Sequence, residues 1–115
     1  MKRGEVYWAD LAPRSGSEQQ GRRPVIIVSR DALNKLQNWS SIVVVPLSTS
    51  ATQRRRGLTA ILLPPGTTGL KKESIALCHQ VTTLDRSKFI QRIGELSLVE
   101  LVLVEDGLKA AMDLV

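Results

Sequence analysis

Gly16-Ser17-Glu18-Gln19-Gln20-Gly21-Arg22-Arg23-Pro24 runs directly into Val25-Ile26-Ile27-Val28. A glycine-bounded polar segment carries one carboxylate and two guanidinium groups, stops at a proline, and becomes a β-branched run. Apolar residues on both faces of 25–29 predict a central strand. Proline disfavours helical geometry in the residue before it, so Arg23 leaves from an extended joint between loop and strand. Polar loops set on rigid strands are common places for reactive groups.

Upstream, residues 5–11 alternate loosely and include Tyr7 and Trp8, which suit a strand; Pro13 limits it. Downstream, 31–38 reads as a short helical turn with Asp31 near its cap. Residues 42–47 are a second β-branched strand. Pro46 has no N–H to give a ladder, which predicts an edge or a bulge at that end. A polar loop follows over 48–57, then a strand over 58–63 ended by Pro64-Pro65-Gly66. Residues 74–78 and 80–84 form two strands or one bent strand, 85–88 a turn, and 90–96 a short strand. Ser97-Leu98-Val99-Glu100 matches the capping box of a helix N-terminus. Leu101, Val104, Leu108, Ala111, Met112 and Val115 then recur at helical spacing. Six or seven short strands with one amphipathic helix predict a small β-barrel-like α+β fold, and 115 residues predict a single domain, 1–115.

A hydrophobic content of 43% supports a compact core but not a large enclosed cleft. No apolar run approaches the ~20 residues that span a bilayer. No apolar signal core follows Met1-Lys2-Arg3, so a cytoplasmic protein with no membrane partner is expected. The single cysteine, Cys78, excludes an internal disulfide and a zinc site of clustered cysteines. A net charge of +5 favours a polyanionic partner, either nucleic acid or an acidic protein. Only Tyr7, Trp8, Trp39 and Phe89 are aromatic, which limits stacking to one or two bases.

The chain has no P-loop, no dinucleotide fingerprint and no His-Glu-x-x-His. With one histidine, His79, a two-histidine ribonuclease mechanism is impossible within one chain. The eleven acids are scattered, which disfavours metal catalysis; no metal ligand and no cofactor are expected. Arg23 can clamp a phosphate and stabilise a pentacoordinate transition state, or it can pair with Glu18 or Asp10 on the surface. If strands 25–29 and 42–47 are antiparallel neighbours, Ser48 comes near Arg23 on one rim, as a functional hydroxyl or as a turn residue. Glu18 can serve as a general base, although flanking arginines would lower its pKa; it can equally orient Arg23. Arg54 and Arg55 suit nonspecific phosphate contact, Gln80 a base edge and Trp39 a stacked base, while His79 reads as structural or as a partner contact.

Residues 3–11 (Arg3-Gly4-Glu5-Val6-Tyr7-Trp8-Ala9-Asp10-Leu11), Pro13, Gly16-Ser17-Glu18-Gln19 and Arg23-Pro24-Val25-Ile26-Ile27-Val28 resemble the MazF/PemK toxins of type II toxin–antitoxin modules. Val45-Pro46-Leu47-Ser48 and Ser74-Ile75-Ala76-Leu77-Cys78-His79-Gln80-Val81 continue the likeness, which extends through the terminal helix. The resemblance implies an SH3-like barrel of CcdB/PemK type, acting as a homodimer. It implies a sequence-specific endoribonuclease that cleaves single-stranded mRNA, and rRNA as well, without a metal. In that chemistry the 2′-hydroxyl attacks the adjacent phosphate, leaving a 2′,3′-cyclic phosphate and a 5′-hydroxyl. The family's catalytic arginine falls on Arg23, its catalytic threonine on Ser48, and its motif glutamate on Glu18. Ser17, Gln19, Arg22, Thr49, Arg54, Arg55 and Gln80 are the implied RNA contacts. Serine at 48 keeps the hydroxyl but loses β-branching, so Thr49 is an alternative bearer of the role. The implied protein partner is a MazE-like antitoxin whose C-terminal segment lies over the dimer groove. Two other functions fit such a chain: a gyrase-poisoning toxin of the same fold, against which the ending Ala111-Met112-Asp113-Leu114-Val115 lacks a terminal Trp-Gly-Ile, and a noncatalytic RNA-binding domain.

Overall fold

The computed structural model describes residues 1–12, 16, 21–49 and 57–114. Seven strands follow in order: β1 Glu5–Asp10, β2 Arg22–Ile27, β3 Ser41–Ser48, β4 Ala60–Leu63, β5 Ser74–Leu77, β6 Thr82–Asp85 and β7 Phe89–Glu95. Two helices accompany them, α1 Asp31–Asn34 and α2 Leu98–Met112. The strands form one antiparallel sheet in the order β4-β5-β3-β2-β1-β7, with β6 on β3. This is the expected α+β, barrel-like fold, with the difference that the ladder does not close: β4 and β7 end it.

The central strand expected at 25–29 begins earlier, at Arg22. β1 supplies the reason, since its backbone continues to Asp10 and pairs Ala9 with Arg23 and Asp10 with Arg22. Both arginines therefore lie within the sheet rather than at a joint before it. Of the edge or bulge expected at Pro46, the structure overturns the edge. Pro46 lies inside the sheet, opposite Val25 of β2, and not at an edge. On its other side β3 changes partner: β6 pairs as far as Val44, and β5 begins at Leu47. The residues between are flanked by a 3-10 turn, Cys78–Gln80, which also separates the two strands expected at 74–84. Proline thus occupies a break in the ladder, where a missing N–H costs least.

The expected helix at 31–38 is a single turn. Asn34 is buried and spends its side chain on Ser29, with Nδ2 donating to the Ser29 carbonyl at 2.8 Å and Oδ1 accepting from its hydroxyl. Arg86 then holds the following segment, donating to the carbonyls of Asn34 and Trp39 at 3.0 and 2.9 Å. At the C-terminal helix the capping box is complete: Ser97 Oγ accepts from the Glu100 N–H, and Glu100 Oε1 accepts from the Ser97 N–H. Burial pushes the Glu100 carboxyl up, but the hydrogen bonds from Ser97 and Thr67 outweigh it and hold it below the usual range.

The two faces of the central strands feed two cores. Val6, Ile26, Val45 and Leu47 pack with Val104 of α2 on one side. Ala9, Val25, Ile27, Ile42 and Val44 pack on the other, beside Tyr7 and Phe89, whose rings meet edge to face at 5.6 Å. Each fully buried branched side chain contributes roughly 1.5–3 kcal/mol, so these two layers dominate stability.

Glu5 is only 6% exposed at the start of β1. Burial raises its pKa, but the Arg92 guanidinium at 2.5 Å and the Lys2 N–H outweigh this, so the net shift is downward. A depressed carboxyl stabilises the fold above its unfolded value, near 4.5, and loses that contribution as pH falls through the folded value. Glu5→Gln is therefore expected to lower the melting temperature at pH 7, with the gap to wild type narrowing below pH 4.5. A gap independent of pH would remove the charge from this account.

Candidate active site

Strand register assembles the site. β2 and β3 pair Ile27 with Val44, Ile26 with Val45 and Val25 with Pro46. Continued past the last pair, the same register sets Arg23 opposite Ser48. Side chains alternate along a strand, so Arg23 projects to the face of Val25 and Ile27, and Ser48 to that of Val44 and Pro46, which is one common face. Arg23 and Ser48 therefore lie at the same end of β2 and β3, beyond the last ladder pair of Val25 with Pro46.

Arg23 is exposed. Its Nη1 approaches the Arg22 carbonyl at 3.4 Å, and among the described residues it makes no ion pair. The alternative pairing with Asp10 is absent: Asp10 Oδ1 accepts instead from the Ala12 N–H at 3.0 Å. Ser48 is 8% exposed and ends β3, opposite Ile75 of β5. Packing thus restrains a side chain that lacks β-branching. Thr49 lies just beyond the strand and is exposed.

Gln80 closes the 3-10 turn beside the break in β3; its Nε2 lies 3.5 Å from His79 Nε2. Trp39 is not brought near. It stands at the opposite end of β3, where its indole N–H donates to the Ser41 carbonyl at 2.6 Å. Ser17, Glu18, Gln19, Arg54 and Arg55 lie outside the described residues. Cys78 is buried, and burial pushes its thiol up to about 12, which makes it a packing residue rather than a nucleophile. Among the described residues no group of three or more His, Cys, Asp or Glu is placed to hold a metal ion. No described helix is long and apolar enough to cross a membrane.

A family profile described as PemK-like, MazF-like toxin of type II toxin–antitoxin system matches residues 2–112. The chain belongs to that family. The endoribonuclease MazF2 of Mycobacterium bovis is 33% identical over 114 residues, covering 99% of this chain and 98% of the relative. The endoribonuclease EndoA of Bacillus subtilis is 30% identical over 115 residues, covering 100% and 97%. Among solved structures, an endoribonuclease in complex with its cognate antitoxin, from a mycobacterial species, is 25% identical with a TM-score of 0.78, covering 100% and 97%. MazF of Deinococcus radiodurans, at 23% identity, covers 99% and 97% with a TM-score of 0.81 and matches in fold.

Sequence reasoning missed one feature of the molecule. Trp8, Arg22, Ile90 and Gln91 line a cavity of about 300 Å³ at the β1–β2–β7 end of the sheet. Trp8 had only a strand signal, and nothing local in the sequence relates it to Gln91, which faces it across β7.

Proposed function

We propose that this toxin-family chain is a sequence-specific endoribonuclease that cleaves single-stranded RNA, mRNA and rRNA included, without a metal. The observation that supports the reading is the exposed Arg23 guanidinium at the end of β2 that lies beside the Ser48 end of β3, in a chain with a net charge of +5. Relatives that match across nearly the full length are endoribonucleases, which supports the same reading.

In the proposed reaction the 2′-oxygen forms a bond to the adjacent phosphorus as the bond to the 5′-oxygen breaks. Negative charge builds on the non-bridging oxygens, and Arg23 donates to them in a planar fork. An arginine does not accept the 2′-hydroxyl proton, so Arg23 acts on charge and not as a base. Ser48 positions a reacting oxygen from the facing strand. Glu18 takes the 2′-proton, or orients Arg23 while water takes that proton, and the leaving 5′-oxygen gains a proton from water to end as a hydroxyl. Arg22, Gln80 and Thr49 contact flanking RNA, with Ser17, Gln19, Arg54 and Arg55 extending the contact through the loops. The protein works as a cytoplasmic homodimer and is inhibited by an antitoxin segment laid over the RNA groove; the antitoxin-bound mycobacterial structure supports such a partner.

The test is purified protein with total RNA in excess EDTA, followed by end mapping. Discrete fragments with 2′,3′-cyclic phosphate and 5′-hydroxyl ends are expected. Cleavage only after adding a metal, or none across the pool, overturns the reading. In the same assay Ser48→Ala should lose more activity than Thr49→Ala, because only Ser48 lies in the strand facing Arg23. The reverse order would move the role to Thr49.

A further inference from the structure

Arg22 and Arg23 are consecutive in one extended strand, so their side chains leave on opposite faces. Arg23 shares the face of Ala9, its β1 partner. Arg22 shares the other face with Trp8 of β1, which lies opposite Pro24 of β2 and opposite Gln91 of β7. There the side chains line the open cavity of about 300 Å³. Its walls differ in chemistry: a half-buried indole, a guanidinium, a carboxamide and Ile90, which is 50% exposed. Arg22 faces Asp10 across the ladder yet makes no ion pair among the described residues, and Asp10 Oδ1 accepts from the Ala12 N–H.

We propose that this cavity is a nucleotide subsite, separate from the Arg23–Ser48 face, which takes a base and phosphate of the RNA flanking the cleavage point. The inference rests on the RNA-cleavage reading above. Indole and Ile90 offer a surface on which any base can stack, the Gln91 carboxamide offers a donor and an acceptor to its edge, and Arg22 offers a phosphate clamp. An apolar peptide would leave the guanidinium and carboxamide without partners, so the cavity suits a nucleotide better than an apolar segment. Adjacent arginines on opposite faces would hold neighbouring phosphates of one strand as it turns over the sheet rim. The subsite therefore adds affinity and sequence choice without touching the reacting atoms.

The probe is a single-stranded RNA spanning a mapped cleavage site, made uncleavable by a 2′-deoxy nucleotide at the scissile position. In proton–nitrogen spectra the indole N–H of Trp8 should shift on titration, while that of Trp39 at the far end of β3 should stay. Gln91→Ala should raise KM for the cleavable RNA roughly two- to tenfold with little change in kcat, as expected for loss of one hydrogen-bonded contact. Arg22→Ala should weaken binding and reduce the salt slope by about 1. An unmoved Trp8 resonance, or a wild-type KM in Gln91→Ala, overturns the subsite. So does a Gln91→Ala variant that loses affinity for an antitoxin peptide while keeping its RNA kinetics. A wild-type protein that cleaves no RNA overturns the parent reading and the subsite together; an active wild type with an unaffected Gln91→Ala overturns the subsite alone.

Discussion

Arg23→Ala is expected to lower kcat for single-stranded RNA by at least ~10³-fold, the scale seen when a preorganised cation or donor is removed from a charged transition state. The fold should hardly respond. Arg23 is exposed, and its side chain makes only a long approach to the Arg22 carbonyl among the described residues. Surface changes of this kind stay within about 0.5 kcal/mol, or roughly 3 °C in melting temperature for a domain of this size. Arg23→Lys tests geometry apart from charge. It keeps a cation but loses the planar fork, so it should recover only a small part of the rate. Single-turnover cleavage at saturating RNA is the measurement, because a transition-state contact shows in kcat and a ground-state contact in KM. Full activity in Arg23→Ala would remove the residue from the mechanism.

The second large effect concerns stability. Gly69 has φ +79°, and a Cβ added there would lie 1.9 Å from the Ile93 carbonyl oxygen. Gly94 on β7 faces the same contact from the other side, with an added Cβ 2.3 Å from the Thr67 oxygen. Both obstacles are backbone, so no rotamer change relieves them. The segment cannot simply move away, because Thr67 accepts from the Glu95 N–H at 2.9 Å and its hydroxyl donates to Glu100 at 2.7 Å. Gly69→Ala adds overpacking to left-handed strain and is expected to cost on the order of 3–5 kcal/mol. Gly94→Ala carries the overpacking alone and should cost less, about 2–3 kcal/mol. Domains of this length have total stabilities of roughly 6–17 kcal/mol, so either change should move a urea midpoint visibly. A Gly69→Ala midpoint equal to wild type would show that the two backbones are not held this closely.

Local chemistry made much of this molecule legible. β-branched runs marked β2 and β3, and serine followed three residues on by glutamate marked the start of α2 to the residue. Those signals act within a few residues of themselves. The extent of β2 was not legible in the same way. Arg22 and Arg23 look like loop residues, and they become strand only because β1 continues alongside them to Asp10. Pro46 predicts an edge or a bulge because proline chemistry excludes an unbroken ladder; where that break falls depends on β5 and β6, more than twenty-five residues away.

The candidate site divides along the same line. By itself the sequence determined which groups are available: an arginine before a proline, a hydroxyl after a β-branched strand, a glutamate in a glycine-bounded loop, and one histidine. It determined the family as well, because the order of those groups is specific. Tertiary structure alone decided that the Arg23 end of β2 lies beside the Ser48 end of β3, that Arg22 turns to the far face with Trp8 and Gln91, and that Gly69 and Gly94 let two backbones touch. The physical reason is that a strand's period of two fixes which side chains share a face but not which strand lies beside it or in what register. Register comes from long-range pairing, and here it is the register that turns a list of polar groups into a proposed active site.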